Sequence, residues 1–367
     1  MKKIILATSY PLIDSNAAKE RVLTFSNIIK KKSNLTIFCP GNKNKRIKKD
    51  KIIFEYIKHD LKTSLLILKI INEIIFLIKF CFFLIQNKNN YDYLIVTIPS
   101  MFLHLSSYFF SKKKILDVRD ITWEYFNSNI LKNLFKKIFI NSISNYDFIL
   151  STNISQKKYL KKNFGFKKKI IFRVIPNGIS EKRFKIIKKI KINKTKNKKV
   201  LYVGNIGRAQ NLSNLIMASS ELRNVKFDII GNGSDFDLIK KQINMLNLKN
   251  VNLLKGMKWN KLKKFYDNCD LLYAQILPQY DSAIPSKIYE YAATNKKVIF
   301  ACKGISEGIS KKFHNFTIIE PLREDILIKA IKNNIQDTNL TKSNLYKIKK
   351  KFIREVEAEK VISKIIK

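Results

Sequence analysis

Short apolar runs of strand length alternate with helix-period segments along this chain, and that alternation confines it to the α/β class. Residues 3–8 read as a buried strand, residues 9–16 as a loop, and a helix then carries Ala18, Val22, Phe25 and Ile29 at helical spacing. Further strands are expected at 35–39, 52–57, 93–98, 114–118, 148–151 and 170–175, with helical patterns filling most of the gaps. A parallel sheet with crossover helices needs this order, and ligands of such doubly wound sheets meet the carboxyl ends of the strands. Pro176, Asn177 and Gly178 close the series, and the basic, glycine-free run 182–199 follows as a linker candidate. Beyond it the alternation starts afresh, with strands expected from 199, 227, 251, 270, 298 and 317. The 367 residues therefore divide into a first domain at 1–180, a linker at 181–198, a second domain at 199–340 and a closing helix at 341–367. That helix carries Ile348, Phe352, Val356 and Ile362 and can pack back on the first domain.

The chemistry concentrates between Ile284 and Phe300. Pro285 and Ser286 are helix-start residues, with Ser286 able to cap free backbone N–H groups. Lys287 and Glu290 stand three apart, which puts an ammonium and a carboxylate on one face of the first turn. Asn295 sits where a left-handed residue would end the helix. A cation, free N–H groups and a helix dipole suit an anion, and the carboxylate can accept from neighbouring hydroxyls. Phosphate beside a diol is what a nucleotide-sugar presents; an ordinary surface ion pair uses the same residues.

Two glycine turns precede that helix. Gly204-Asn-Ile-Gly-Arg208 follows a strand, and Arg208 can hold a phosphate in bidentate fashion. Gly231 and Gly233 leave a bare backbone edge for a flat base. In the first domain Arg21 opens a helix and Asp117-Val-Arg-Asp120 ends a strand, so these side chains can face a substrate or form a local Asp–Arg pair.

Composition narrows the partners. The formal charge of +44, from 72 Lys and Arg against 28 Asp and Glu, favours an anionic surface. The excess is mostly Lys mixed with Asn and Ile, and no compact nucleic-acid motif occurs, so no nucleic-acid partner is expected. Cys39, Cys81, Cys269 and Cys302 form no close pair, which argues against a zinc site or disulfide framework and fits a reducing compartment. His59, His104 and His314 are scattered. Residues 64–85 are long enough to cross a bilayer, for which ~20 largely apolar residues suffice. Lys69, Asn72, Glu73, Lys79 and Gln86 nevertheless draw a polar stripe along them, so this helix is expected in an interface, against its own sheet or on a membrane surface.

Taken together, Gly204-x-x-Gly-Arg208, Ile230-Gly-x-Gly233, Val251-x-x-x-x-Gly256, Cys269-Asp270 and Pro285-Ser-Lys-x-Tyr-Glu-Tyr-Ala292 resemble the C-terminal half of family 4 glycosyltransferases in order and spacing. Val118-Arg-Asp120 and Val174-Ile-Pro-Asn-Gly178 resemble segments of that family's N-terminal half. The resemblance implies a GT-B fold, two Rossmann-like domains facing across a cleft. It also implies retaining transfer of a hexosyl or N-acetylhexosaminyl unit from a nucleotide diphosphate, UDP in the branch it resembles. That branch builds bacterial surface polysaccharides of the O-antigen and capsule type. The acceptor is then lipid-linked or a polysaccharide, and the protein cytoplasmic, peripheral on the inner face of the membrane with its anionic lipid.

The resemblance further implies that Glu290 holds the ribose hydroxyls and Arg208 neutralises the diphosphate. Asp281, Ser282, Ala283 and Ile284 would approach the donor sugar, Gly231, Gly233 and Met257 would border the base, and Gly204 and Gly207 would belong to the same donor site. Lys287 is our candidate for a second cation, Asp120 for an acceptor-side base, and Asn16, Arg21 and Arg119 for acceptor contacts. No metal or other cofactor is expected, because no acidic pair stands at a strand end near these turns. Three departures qualify the likeness. The family's two glutamates lie eight apart, and counting back from Glu290 reaches Ser282, so Asp281 is the substitute or the acid is missing. Ala209 to Asn214 lacks the family's lysine, and Ser15-Asn-Ala-Ala18 lacks its paired glycines. A non-catalytic nucleotide- or sugar-binding GT-B protein is therefore the alternative.

Overall fold

The computed structural model describes residues 1–12, 17–59, 66–126, 128–163, 170–191, 198–280, 284–337, 339 and 342–366. They form two units, Met1–Asn177 with Arg354–Lys367, and Gly178–Ile353. In the first, β1 (Lys2–Thr8), β2 (Ser33–Gly41), β3 (Lys45–Lys49), β4 (Ile52–Lys58), β5 (Tyr93–Ile98), β6 (Lys113–Val118), β7 (Phe148–Ser151) and β8 (Ile171–Val174) make one sheet. Its order is β3-β4-β2-β1-β5-β6-β7-β8. The central strands are continuous apolar runs, as burial on both faces demands, and Ile4, Ile5, Leu6 and Ala7 are fully buried. In register, Leu6 stands between Ile37 and Ile95. The direction of winding reverses at β1, which places the ligand edge at the carboxyl ends of β1, β5 and β6.

One face of this sheet is covered by α1 (Ala17–Ile29), through Val22, Phe25 and Ile29, and by the closing helix Arg354–Ile365. The other is covered by α2 (Leu66–Gln86) and α3 (Asn129–Ile143). There Phe80 of α2 packs on Phe38, with ring centroids 4.7 Å apart. The edge strand β3 has no counterpart in the sequence reading, because Lys45–Lys49 is nearly all basic. It pairs antiparallel with β4, Ile47 opposite Phe54, and its lysines protect an open sheet edge.

In the second unit, β9 (Lys199–Val203), β10 (Lys226–Ile230), β11 (Val251–Leu254), β12 (Leu271–Gln275), β13 (Lys297–Ala301) and β14 (Phe316–Ile319) form a parallel sheet ordered β11-β10-β9-β12-β13-β14. Helix α4 (Ile154–Asn163) belongs to the first unit. The second contains α5 (Glu181–Ile187), α6 (Ser213–Glu221), α7 (Phe236–Met245), α8 (Trp259–Asp267) and α9 (Lys287–Ala293). Two features differ from the sequence reading. Residues 181–187, read as linker, are helical: Ser180 caps the turn by accepting from Arg183 N at 3.2 Å, and Phe184 and Ile187 are buried. The tail is two helices, Leu345–Lys351 and Arg354–Ile365, divided between the units.

Arg21 is a further correction. It is 2% exposed and bound to Asp117 through Nε at 2.8 Å and Nη2 at 2.6 Å, while Nη1 donates to Ile175 O at 3.0 Å. Thr97 Oγ1 also donates to the Asp117 carboxylate. The guanidinium thus ties α1 to β6 and the residue after β8. Asp117 finds its partner 96 positions away, not in the neighbouring Arg119. Removing one member of a buried pair strands the other, so Arg21→Met should destabilise the first unit by about 3–5 kcal/mol. A shift in its urea unfolding midpoint checks this; a shift no larger than that of a surface Arg→Met control refutes it.

Candidate functional site

At the carboxyl edge of the second sheet the backbones after β9 and β10 interlock. Gly204 N donates to Ile230 O at 2.9 Å, Ile206 N to Asn232 O at 2.9 Å, and Gly231 N to Leu254 O at 3.0 Å. The approach leaves no room for side chains. A Cβ on Gly231 would overlap the carbonyl of Gly204, and one on Gly204 would overlap the ammonium of Lys287. These glycines therefore serve close packing, and they bring the bare turn against the start of α9.

Lys287 crosses that turn. Its Nζ lies 4.0 Å from the ring centroid of the buried Tyr202 and donates to the Tyr202 hydroxyl at 2.9 Å. Tyr202 in turn donates to Asn205 O, which fixes the loop. Desolvation lowers the Lys287 pKa from 10.5 to about 7, opposed in part by Glu290. Desolvation thus makes this ammonium easier to deprotonate than that of an ordinary lysine.

Glu290, one turn further on, is buried and paired with Arg183 from α5. Arg183 lies over the Trp259 ring at 5.4 Å, and Trp259 stacks on Tyr266 at 5.2 Å. The pair runs through Oε1, and a carboxylate has acceptor sites on both oxygens, so the ion pair orients Glu290 without exhausting it. Behind α9, the Tyr291 hydroxyl accepts from Val203 N at 3.0 Å and locks the helix to the end of β9.

The other assigned residues fall as follows. Arg208 is exposed on the loop after β9, with Gly207 buried beside it. That loop is held by Gln275, whose Nε2 donates to Gln210 O at 2.9 Å and Asn211 O at 2.8 Å. Gly233 abuts Ile206, Met257 is half-buried and Ile284 is buried. Asp281, Ser282 and Ala283 lie outside the described residues, as does Asn16. Ser286 makes no side-chain cap, contrary to expectation; it is itself in helical conformation. Asn295 does adopt φ +58° just past α9. Tyr202, Arg183, Gln275 and Tyr291 were missed. Tyr202 sits in a strand that reads simply as buried, Gln275 falls where the sequence reads as a loop, and Arg183 is hidden in a lysine run.

In the first unit Arg119 and Asp120 follow β6, both half-exposed. Arg119 Nε is buried without a hydrogen-bond partner among the described residues. The phenol of Tyr10, after β1, is pushed up to about 12 by burial and by Asp120. A hollow of about 430 Å³, lined by Lys2, Asp92, Lys112, Lys113 and Asp147, opens at the opposite, amino ends of these strands. Lys112 and Lys113 are paired there with Asp92 and Asp147, and the hollow lies away from the edge just described.

Comparison with known proteins bears on this geometry. Residues 183–352 match the family described as glycosyl transferases group 1. No curated protein sequence matches the chain. Sucrose-phosphate synthase from Thermosynechococcus elongatus superposes with a TM-score of 0.78 at 15% identity, covering 100% of this chain and 98% of that one. HepE from Anabaena, solved with UDP and glucose, gives 0.74 at 14% identity, covering 100% and 99%. A lipopolysaccharide outer core galactosyltransferase gives 0.66 at 14% identity, with both chains covered completely. These likenesses establish the fold, two Rossmann-like α/β domains of the GT-B type.

The electrostatics of Lys287 can be measured directly. NMR of lysine ¹³Cε should show one signal titrating near pH 7 while ordinary lysines titrate near about 10.4, and Lys287→Met should remove it. Titration of every lysine above pH 9 would contradict the desolvation of Lys287.

Proposed function

We propose that this protein, a glycosyltransferase by its group 1 domain and GT-B fold, moves a sugar with retention of configuration from a UDP-sugar. The acceptor in this reading is lipid-linked or a polysaccharide of a bacterial cell surface, as in O-antigen or capsule synthesis by family 4 enzymes. The protein then works from the cytoplasm, peripherally at the inner membrane face. The observation that carries the reading is the Lys287 ammonium held over the Gly204 turn, with Glu290 one turn away on the same helix. Support for the UDP donor comes from the similar structures solved with UDP and UDP-glucose, and for a surface acceptor from the one named for lipopolysaccharide outer core synthesis.

The chemistry follows from the charges. Cleavage of the sugar–phosphate bond builds negative charge on the leaving diphosphate. In this reading Lys287 over the Gly204 turn and Arg208, further along the same loop, neutralise it, and a desolvated ammonium acts more strongly than a hydrated one. The approaching phosphate raises the lysine's pKa, so charge is recruited where it is needed. Glu290, oriented by Arg183, accepts hydrogen bonds from the ribose hydroxyls, and the base is assigned to the turn of Gly231 and Gly233. The leaving phosphate assists deprotonation of the acceptor on the sugar's front face, with Asp120 on the acceptor side. We assign neutralisation of the diphosphate to these side chains without a metal cofactor. A second reading, a non-catalytic nucleotide-sugar-binding protein, is favoured by Ser282 at the position where the family has a glutamate.

A screen of nucleotide-sugars for nucleotide release should find a UDP-sugar that turns over, and release from none of them with any acceptor would favour the second reading. Loss of charged hydrogen bonds to the ribose costs about 1.5–3 kcal/mol, so Glu290→Ala should weaken UDP binding by calorimetry roughly 10- to 100-fold. Dialysis against EDTA should leave turnover unchanged; loss restored by a divalent cation would overturn the metal-free assignment.

A further inference from the structure

We propose that the outward face of α2 docks on an anionic lipid membrane and lies within its headgroup interface. Ile67, Ile71, Ile74, Ile78, Phe82 and Ile85 recur at steps of three and four, so they align in one stripe down the helix. At 1.5 Å per residue that stripe is about 27 Å long. All six side chains are between 39% and 72% exposed. The opposite side of the same helix buries Phe76, Phe80 and Leu84 in the core of the first unit. Core packing therefore accounts for one apolar side of α2 and leaves the other uncovered. An apolar strip of this length is larger than scattered surface residues produce, and it calls for a partner.

Charge selects the partner. The one acid of α2, Glu73, is turned inward, accepting from Ser100 Oγ at 2.5 Å and Met101 N at 2.6 Å. Lys79 is exposed about a quarter turn round the helix from the stripe, and Lys88 is exposed just beyond the helix. The neighbouring 3₁₀ segment Leu103–Phe109 adds exposed Tyr108 and Phe109. Helix α3, packed on that segment, adds exposed Ile130, Leu134 and Lys137 and contains no acidic residue. A second copy of the chain would set lysines against lysines across a two-fold interface. A bilayer with anionic headgroups accepts the apolar stripe and the cations together. None of the described helices is long and apolar enough to cross a membrane, so the contact is lateral.

The docking stands on the first unit alone; its purpose rests on the lipid-linked acceptor reading. Glu73 joins α2 to the loop after β5, and its charge is felt at Tyr10 together with those of Arg119 and Asp120. A helix lying in the interface thus brings the carboxyl edge of that sheet to a lipid-borne acceptor.

Flotation of the full chain with vesicles of phosphatidylglycerol and phosphatidylcholine in equal parts tests this. The protein should float with them at low salt, less at high salt, and weakly with phosphatidylcholine alone. Ile78→Asp with Phe82→Asp should reduce partitioning on the order of a hundredfold. Lys79→Glu with Lys88→Glu should reduce it about tenfold or more and flatten the salt dependence. The charge-reversal pair decides the question should the first variant lose its circular dichroism signal. The proposal is overturned if wild type stays with the buffer, or if folded variants float as wild type does. It is equally overturned if wild type is a dimer by light scattering that Ile78→Asp with Phe82→Asp dissociates. Glu290→Ala should leave flotation unchanged while weakening UDP binding. Absence of UDP binding with intact flotation sinks the donor reading alone, and the reverse pattern sinks this one.

Discussion

The candidate donor site depends on a lysine ammonium placed where a Cβ would otherwise be. Because Gly204 has no side chain, Lys287 can cross the turn after β9 and rest on the Tyr202 ring. Every neighbouring feature serves that placement. Gly231 permits the β10 loop to close against the Gly204 carbonyl, Tyr202 reaches Asn205 to hold the loop, and Tyr291 ties α9 to Val203. The cost is a desolvated cation, which the protein meets by allowing its proton to become labile near pH 7.

The two units solve the same problem of burial differently at their ligand edges. In the first, a buried Arg21–Asp117 pair with Thr97 and the Ile175 carbonyl secures the strand ends as an internal network. In the second, the edge is held by backbone interlock, and the Arg183–Glu290 pair joins α5 to α9. Arginine–carboxylate pairs thus have opposite meanings in the two halves. One is a buried structural tie; the other orients a carboxylate that retains acceptor capacity.

Helix α2 illustrates how one apolar segment can face two environments. Its composition alone suggests a single wide hydrophobic surface. The sheet consumes the side carrying Phe76, Phe80 and Leu84, and the side carrying Ile67, Ile78 and Phe82 remains outward. Only the second faces outward, with the exposed Lys79 on its flank, while Glu73 is turned inward to Ser100 and Met101.

By itself the sequence determined the α/β class, nearly all of the strands, the restart of the alternation in a second domain, and the order of glycine turns ahead of Lys287 and Glu290. Periodicity, turn glycines and strand-end motifs are local signals, and they survive without any knowledge of what packs where. Tertiary structure decided the rest. It recruited the lysine-rich β3 as an edge strand and made residues 181–187 a helix, because Phe184 and Ile187 act as anchors only once a core exists to bury them. It sent Arg21 to Asp117, 96 positions away, and Arg183 to Glu290, 107 positions away. Partners so distant in the chain leave no spacing to read, and the desolvation that sets the charge of Lys287 exists only when Tyr202 and the Gly204 turn close around it.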